Sequence, residues 1–135
     1  MSPRFLYRRG LWTSMVPEVV NLAWKFALFS DAWNPKIVGE LNDAHVKLVK
    51  LRGEFVWHKH DTEDELFLVV RGTLRIRFRD GDTTVHEGEF VIVPRGVDHL
   101  PVADAEVHAV LIEPKTTLNT GDRQDARTIV EPERI

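Results

Sequence analysis

Between Thr73 and Asp80 the chain reads TLRIRFRD, with apolar and basic residues alternating. Leu74, Ile76 and Phe78 fall on one side of an extended segment, and Arg75, Arg77 and Arg79 on the other. A period of two belongs to a β-strand with one face buried and one wet. The three arginines then form an outer solvated face, or an edge guarded against aggregation. The neighbouring segments are of the same kind. KIVGEL, HVKLVKLR, EFVWHKH, ELFLVV, the two halves of TTVHEGEFVIVP, and EVHAVLIEP all read as strands, divided by turn signals such as NDA, DGD, Gly53 and Gly88. Short strands punctuated by Gly, Pro and Asp fold as an all-β sandwich or barrel. The expected barrel spans residues 36–114. Before it, VPEVVNLAWKFALFSDAW spaces Val19, Leu22, Phe26 and Phe29 at roughly helical intervals, which predicts a short helical segment within residues 18–35. After it, residues 115–135 are polar and Pro-punctuated and are expected to pack on the barrel as a tail.

The chain has 135 residues, enough for one domain with a real core. A net charge of −3 makes no electrostatic case for nucleic acid or an anionic membrane. No apolar run approaches the roughly 20 residues that cross a bilayer. With no cysteine, disulfides and thiolate chemistry are excluded, and His, Asp and Glu remain as the strong metal ligands. That composition suits a reducing cytoplasm, the expected location. Residues 1–17 carry Arg4, Arg8 and Arg9 without an acid and without an apolar centre. They read as an extension ahead of a natural start at Met15, rather than as an organellar transit peptide.

The stretch HKHDTEDELFLVVRG sets His58 and His60 two apart, on one side of an extended segment and opposite Phe55, Trp57 and Lys59. DTED allows the chain to reverse, so that Glu65 opens the next strand beside them. Two imidazoles and a carboxylate on neighbouring strands make part of a ligand shell for a divalent transition metal. His99, launched by the turn PRGVD, is the candidate for a fourth ligand. Spacing alone leaves a second reading open, in which the histidines decorate a solvated turn.

Taken together these residues resemble the two motifs of the cupin superfamily. Gly53, His58, His60, Glu65 and Gly72 follow the first: a glycine, HxH, a glutamate, then a glycine. Gly88, Pro94, Gly96 and His99 follow the second without adjustment, and Thr73–Glu87 matches the short spacer of small microbial members. Two departures, a shorter gap before His58 and Ala103 where asparagine is common, touch none of the proposed ligands. The resemblance implies a jelly-roll barrel around a cavity. It also implies iron, manganese, nickel, copper or zinc on three His and one Glu: His58, His60, Glu65 and His99. Gly72 and Gly96 would supply backbone angles that side chains resist, and Pro94 would aim His99 inward.

Three residues are candidates for substrate contact. Arg71 shares strand parity with Glu65, Phe67 and Val69 and would hold a carboxylate or phosphate at the cavity end. His108 would line the pocket or orient a ligand. Phe67 would contribute to the wall, and Phe55, Trp57, Phe78 and Phe90 are expected in the core. His45 and His86 are expected at the surface. The resemblance implies an enzyme that acts on a small polar organic substrate by Lewis-acid isomerisation or O₂-dependent oxidation. Small cupins of this kind are often called mannose-6-phosphate isomerase-like. The alternative is a non-catalytic protein that binds a metabolite or metal in the cavity, or a barrel whose ligands only brace the structure. A homodimer is expected, with VVNLAWKFALF contributing apolar surface.

Overall fold

The structure, a computed structural model, describes residues 16–135 and the backbone of two short paired strands, β1 (Tyr7–Arg8) and β2 (Leu11–Trp12). Most of the expected extension, residues 1–17, lies outside the described residues. A single sheet follows, built from β3 (Lys36–Leu41), β4 (Ala44–Glu54), β5 (Glu65–Arg71), β6 (Leu74–Phe78), β7 (Gly81–Val85), β8 (Phe90–Val93) and β9 (His99–Pro114). Its strand ladders are antiparallel, in the order β3-β4-β9-β5-β8, and β6 joins β9 to β7. β9 gives the fold its shape. Its first residues, His99–Val102, pair with β6, while Val107–Pro114 lie between β4 and β5. One long strand therefore runs through both walls of the all-β jelly roll.

Alternation decides which side chains fill the interior. Val49 and Leu51 of β4, Phe67 and Val69 of β5, Leu74 and Ile76 of β6, and Val107, Ala109 and Leu111 of β9 share one buried cluster. Arg75, Arg77 and Arg79 point outward, and Arg77 and Arg79 lie 5.8 and 3.7 Å from the Trp57 ring. Trp57 is thus half-buried under guanidinium groups rather than part of the core. Phe90 also leaves the expected core, at 61% exposed on the outer face of β8.

The helical segment is shorter than its spacing predicts. α1 spans Leu22–Phe26, and its N-cap Asn21 accepts from Trp24 N at 3.0 Å. Val19 lies before the helix and is exposed, whereas Phe26 seals a second apolar cluster with Leu48 and Val110 on the outer face of β4 and β9. Five residues make too few hydrogen bonds to hold a helix alone, so that packing sustains it. No helix among the described residues is long and apolar enough to cross a membrane.

EFVWHKH is not a strand either. β4 ends at Glu54, and His58 forms an isolated bridge with His99. Freed from strict alternation, Phe55 turns inward with His58 instead of opposing it, and its ring meets the His58 ring edge-on at 5.4 Å. The tail packs on the barrel: Thr117 and Thr120 are buried, and Ile37 N donates to Glu133 O at 2.8 Å.

Gly72 and Gly96 have φ of +89° and +77°. A Cβ on Gly72 would stand 2.8 Å from the Glu106 carbonyl oxygen, while Gly96 faces open space. Gly96→Ala should therefore cost about 1 kcal/mol of unfolding free energy, for the left-handed conformation alone. Gly72→Ala should cost about 3 kcal/mol, because a clash is added. Urea unfolding of the two variants checks both the size and the order.

Candidate metal centre

His58 and His99 exchange main-chain hydrogen bonds, His58 N to His99 O at 3.0 Å and His99 N to His58 O at 2.8 Å. Their rings lie side by side, with centroids 4.3 Å apart. His60 joins them from the same loop, where its carbonyl accepts from Gly96 N at 2.7 Å. Glu65 enters from the start of β5. One nitrogen from each of the three imidazoles and one Glu65 oxygen all lie within 4.8 Å of one another, and all four residues are buried. Donors about 2.1 Å from a shared ion stand roughly 3 Å apart when adjacent and about 4.2 Å when opposite, so small side-chain shifts bring this spread onto one metal.

The hydrogen bonding prepares the rings for that use. His58 Nδ1 lies 2.8 Å from the Val56 carbonyl oxygen, and His99 Nδ1 lies 2.9 Å from that of Val97. A carbonyl only accepts, so each Nδ1 carries the proton and each Nε2 presents a lone pair. Nε2 of His60 and His99 stand 3.3 and 3.5 Å from Glu65 Oε1. All three atoms are buried without a hydrogen-bond partner. Buried polar groups rarely stay unpaired, and here three of them face one point. The donor set fits a divalent transition metal.

Charge in the site follows from burial and neighbours. Burial and the adjacent His99 hold His58 down to about 4, so it is neutral near pH 7. Burial opposes a charge on His60, but the Glu65 carboxylate outweighs it and raises His60. Burial likewise opposes the Glu65 charge, yet the neighbouring His60 and His99 rings and Glu113 bring it well below the usual carboxylate range. Glu113 moves the other way, pushed well up by burial and then by the charge of Glu65.

A cavity of about 30 Å³ opens beside His58 and Glu65. By that measure a water needs about 10–15 Å³, so the space takes two or three water-sized groups. Trp33, Phe55, Phe67 and Leu111 supply apolar wall, and Glu113 and Asn119 supply polar wall. The Trp33 and Phe55 rings stack at 4.5 Å. On the far side of His60 lies a separate polar cleft of about 230 Å³, bordered by Lys59, Asp61, Glu63 and Asp122.

The structure brings together His58, His60, Glu65 and His99, and places Phe67 in the cavity wall, 4% exposed. It separates the other two candidates. The β5–β9 register shifts between Val69 and Arg71, so strand parity fails and Arg71 projects into solvent. His108 sits on the outer face of β9, stacked on Phe26 at 4.8 Å, with Nε2 2.7 Å from Glu106 Oε2. Its parity with Val110 and Ile112, opposite Val107 and Ala109, points that way. His45 is half-buried beside Glu40, and His86 is exposed.

Four residues near the site were missed at the sequence level. Glu113 and Lys47 share parity with Leu111 and Val49, a signal that was available. Trp33 and Asn119 come from irregular segments, where no periodicity marks them.

Residues 45–115 match the cupin domain family model. The crystal structure of a cupin-2 domain containing protein from Shewanella frigidimarina is 47% identical, with TM-score 0.71, covering 72% of this chain and 95% of that one. Protein NMB1881 from Neisseria meningitidis is 34% identical, with TM-score 0.67, over 73% of this chain and 100% of that one. The uncharacterized protein YdbB of Bacillus subtilis is 40% identical over 63 residues, which are 46% of this chain and 56% of YdbB. The match thus spans little more than half the length of that relative. With both motifs placed on the jelly roll and more than half of the sequence matched, the chain belongs to the cupin superfamily.

Proposed function

We propose that this cupin holds one divalent transition metal on His58, His60, Glu65 and His99, and is an enzyme acting on a compact organic substrate. One observation carries the reading: three buried donor atoms without partners, on His60, Glu65 and His99, converge on a single point. A metal bound there supplies Lewis acidity or, if redox-active, activation of O₂. The chain supplies the rest. Nδ1–H of His58 and His99, held by carbonyls, keeps both lone pairs aimed. Trp33, Phe55 and Phe67 exclude water from the open side.

The cavity favours O₂-dependent oxidation of a small, weakly polar molecule over isomerisation of a sugar phosphate. Among the described residues, Lys47 is engaged by Glu113 at 2.9 Å and Arg71 lies outside, so neither offers a free cation to a phosphate. The substrate's polar contacts would be the metal and the Glu113–Asn119 side.

Protein purified without metal-affinity resin should contain about one transition metal ion per chain by elemental analysis. His58→Ala/His60→Ala should fall to background, and metal at a hundred times its Kd should raise the unfolding free energy by about 2.7 kcal/mol. The iron form should consume O₂ with a member of a panel of small enolisable ketones. Turnover of a sugar phosphate by a zinc or manganese form without O₂ would overturn the oxidative reading. Ligand-induced stabilisation without turnover in any metal form would establish a binding protein instead.

We also propose a homodimer. Phe90 and Ile92 are 61% and 51% exposed on β8, across from Leu68 and Leu66 of β5, and Trp24 of α1 and Leu28 just after it are 75% and 65% exposed. An apolar surface of that kind marks an interaction site. Sedimentation velocity at micromolar concentration should show a dimer, and Phe90→Lys/Ile92→Lys should give a monomer.

A further inference from the structure

The inner face of three adjacent strands carries a row of charged groups that metal ligation does not use. In the β5–β9 ladder Leu66 faces Ile112 and Phe67 faces Leu111, so the next step outward sets Glu65 beside Glu113. On the other side of β9, Lys47 of β4 faces Leu111, diagonal to Glu113. Lys47 Nζ donates to Glu113 Oε2 at 2.9 Å, and the two side chains are 2% and 1% exposed. Glu113 Oε1 is buried and has no hydrogen-bond donor. Glu113 borders the same cavity as Glu65.

An ion pair buried to that degree carries a desolvation cost that close-packed apolar residues would avoid. Its position next to a ligand gives it a use. A carboxylate that binds a metal through one oxygen must be kept from rotating, and partners of ligating carboxylates tune both orientation and affinity. Glu65 presents Oε1 toward His60 and His99. Glu113 stands beside it across the β5–β9 ladder, borders the same cavity, and is anchored from behind by Lys47. We propose that Glu113, anchored by Lys47, is a positioning residue that fixes the Glu65 carboxylate for single-oxygen coordination of the metal. The proposal rests on the reading of His58, His60, Glu65 and His99 as a metal site.

Three variants separate positioning from mere packing. Glu113→Gln keeps the reach of the side chain, a group that accepts from Lys47 and a group that can contact Glu65. Glu113→Asp keeps the charge but withdraws it by one methylene. Lys47→Met/Glu113→Leu replaces the pair with apolar residues of similar volume, a change that buried pairs tolerate. Zinc affinity is read by competition with a chromophoric chelator, and coordination geometry by the visible absorption of the cobalt-substituted protein. Glu113→Gln should bind zinc within about threefold of the unsubstituted chain, with an unchanged cobalt spectrum. Glu113→Asp and the double variant should lose roughly 10- to 100-fold in zinc affinity, with an altered spectrum. The proposal is overturned if whichever of these two folds binds with undiminished affinity and an unchanged spectrum, or if Glu113→Gln loses as much as they do. Failure of the unsubstituted chain to bind zinc or cobalt would instead remove the metal site itself.

Discussion

Two main-chain hydrogen bonds between His58 and His99 hold the site in register with the fold. His58 belongs to a loop outside the strands, and His99 opens β9, the strand that runs through both walls. The bridge joins residues far apart in sequence and sets both rings on the same side, 4.3 Å apart. Backbone groups do this work, so the spacing of the two imidazoles does not wait for a ligand. The Gly96 N to His60 O bond extends the same seam and brings the third ring in. A site assembled by main-chain pairing is pre-organised, and binding there loses little freedom.

The cost appears in the electrostatics. Six ionisable side chains (Lys47, His58, His60, Glu65, His99 and Glu113) are buried beside the apolar core of the barrel. Lys47 brings one positive charge, and the two carboxylates next to each other resist bearing two negative ones, so their proton affinities diverge. His58 stays neutral because burial and His99 both oppose its charge. What remains is Glu65 Oε1 facing Nε2 of His60 and of His99, each atom without a hydrogen-bond partner costing about 1–3 kcal/mol. A cation that takes the place of any proton on His60 Nε2 satisfies the carboxylate oxygen and both imidazole nitrogens at once.

Most of the barrel was legible in the sequence because alternation survives wherever a strand has one buried face. TLRIRFRD is the clearest case, with Leu74 and Ile76 inside and Arg77 and Arg79 outside. The four converging residues were legible for a related reason: glycines and Pro94 mark where the chain must turn to bring them in. Parity failed where strands stop being regular. A bulge after Val69 sent Arg71 outward, and the loop around Trp57 turned Phe55 toward His58. His108 was misplaced because β9 is apolar on both faces beneath α1, so that composition alone could not tell inside from outside. Trp33 and Asn119 reach the cavity through tertiary packing of irregular chain, which carries no period to read.

That irregular chain completes what the barrel leaves open. The HKH loop has no strand along its outer side, so the main-chain groups of Lys59 need partners from elsewhere. The tail provides both: Asp122 Oδ1 accepts from Lys59 N at 3.0 Å, and Asp122 N donates to Lys59 O at 3.1 Å. The approach is close enough that a Cβ on Gly121 would meet the Lys59 carbonyl and stand 3.1 Å from the His58 ring. Asn119 then reaches the cavity, and Arg127 lies over the Phe55 ring at 4.8 Å. Trp33, Asn119, Gly121 and Asp122 all stand outside residues 45–115, the part that matches the cupin family. The donor set and most of the cavity wall therefore lie within the matched barrel, and the flanking segments close that wall with Trp33 and Asn119.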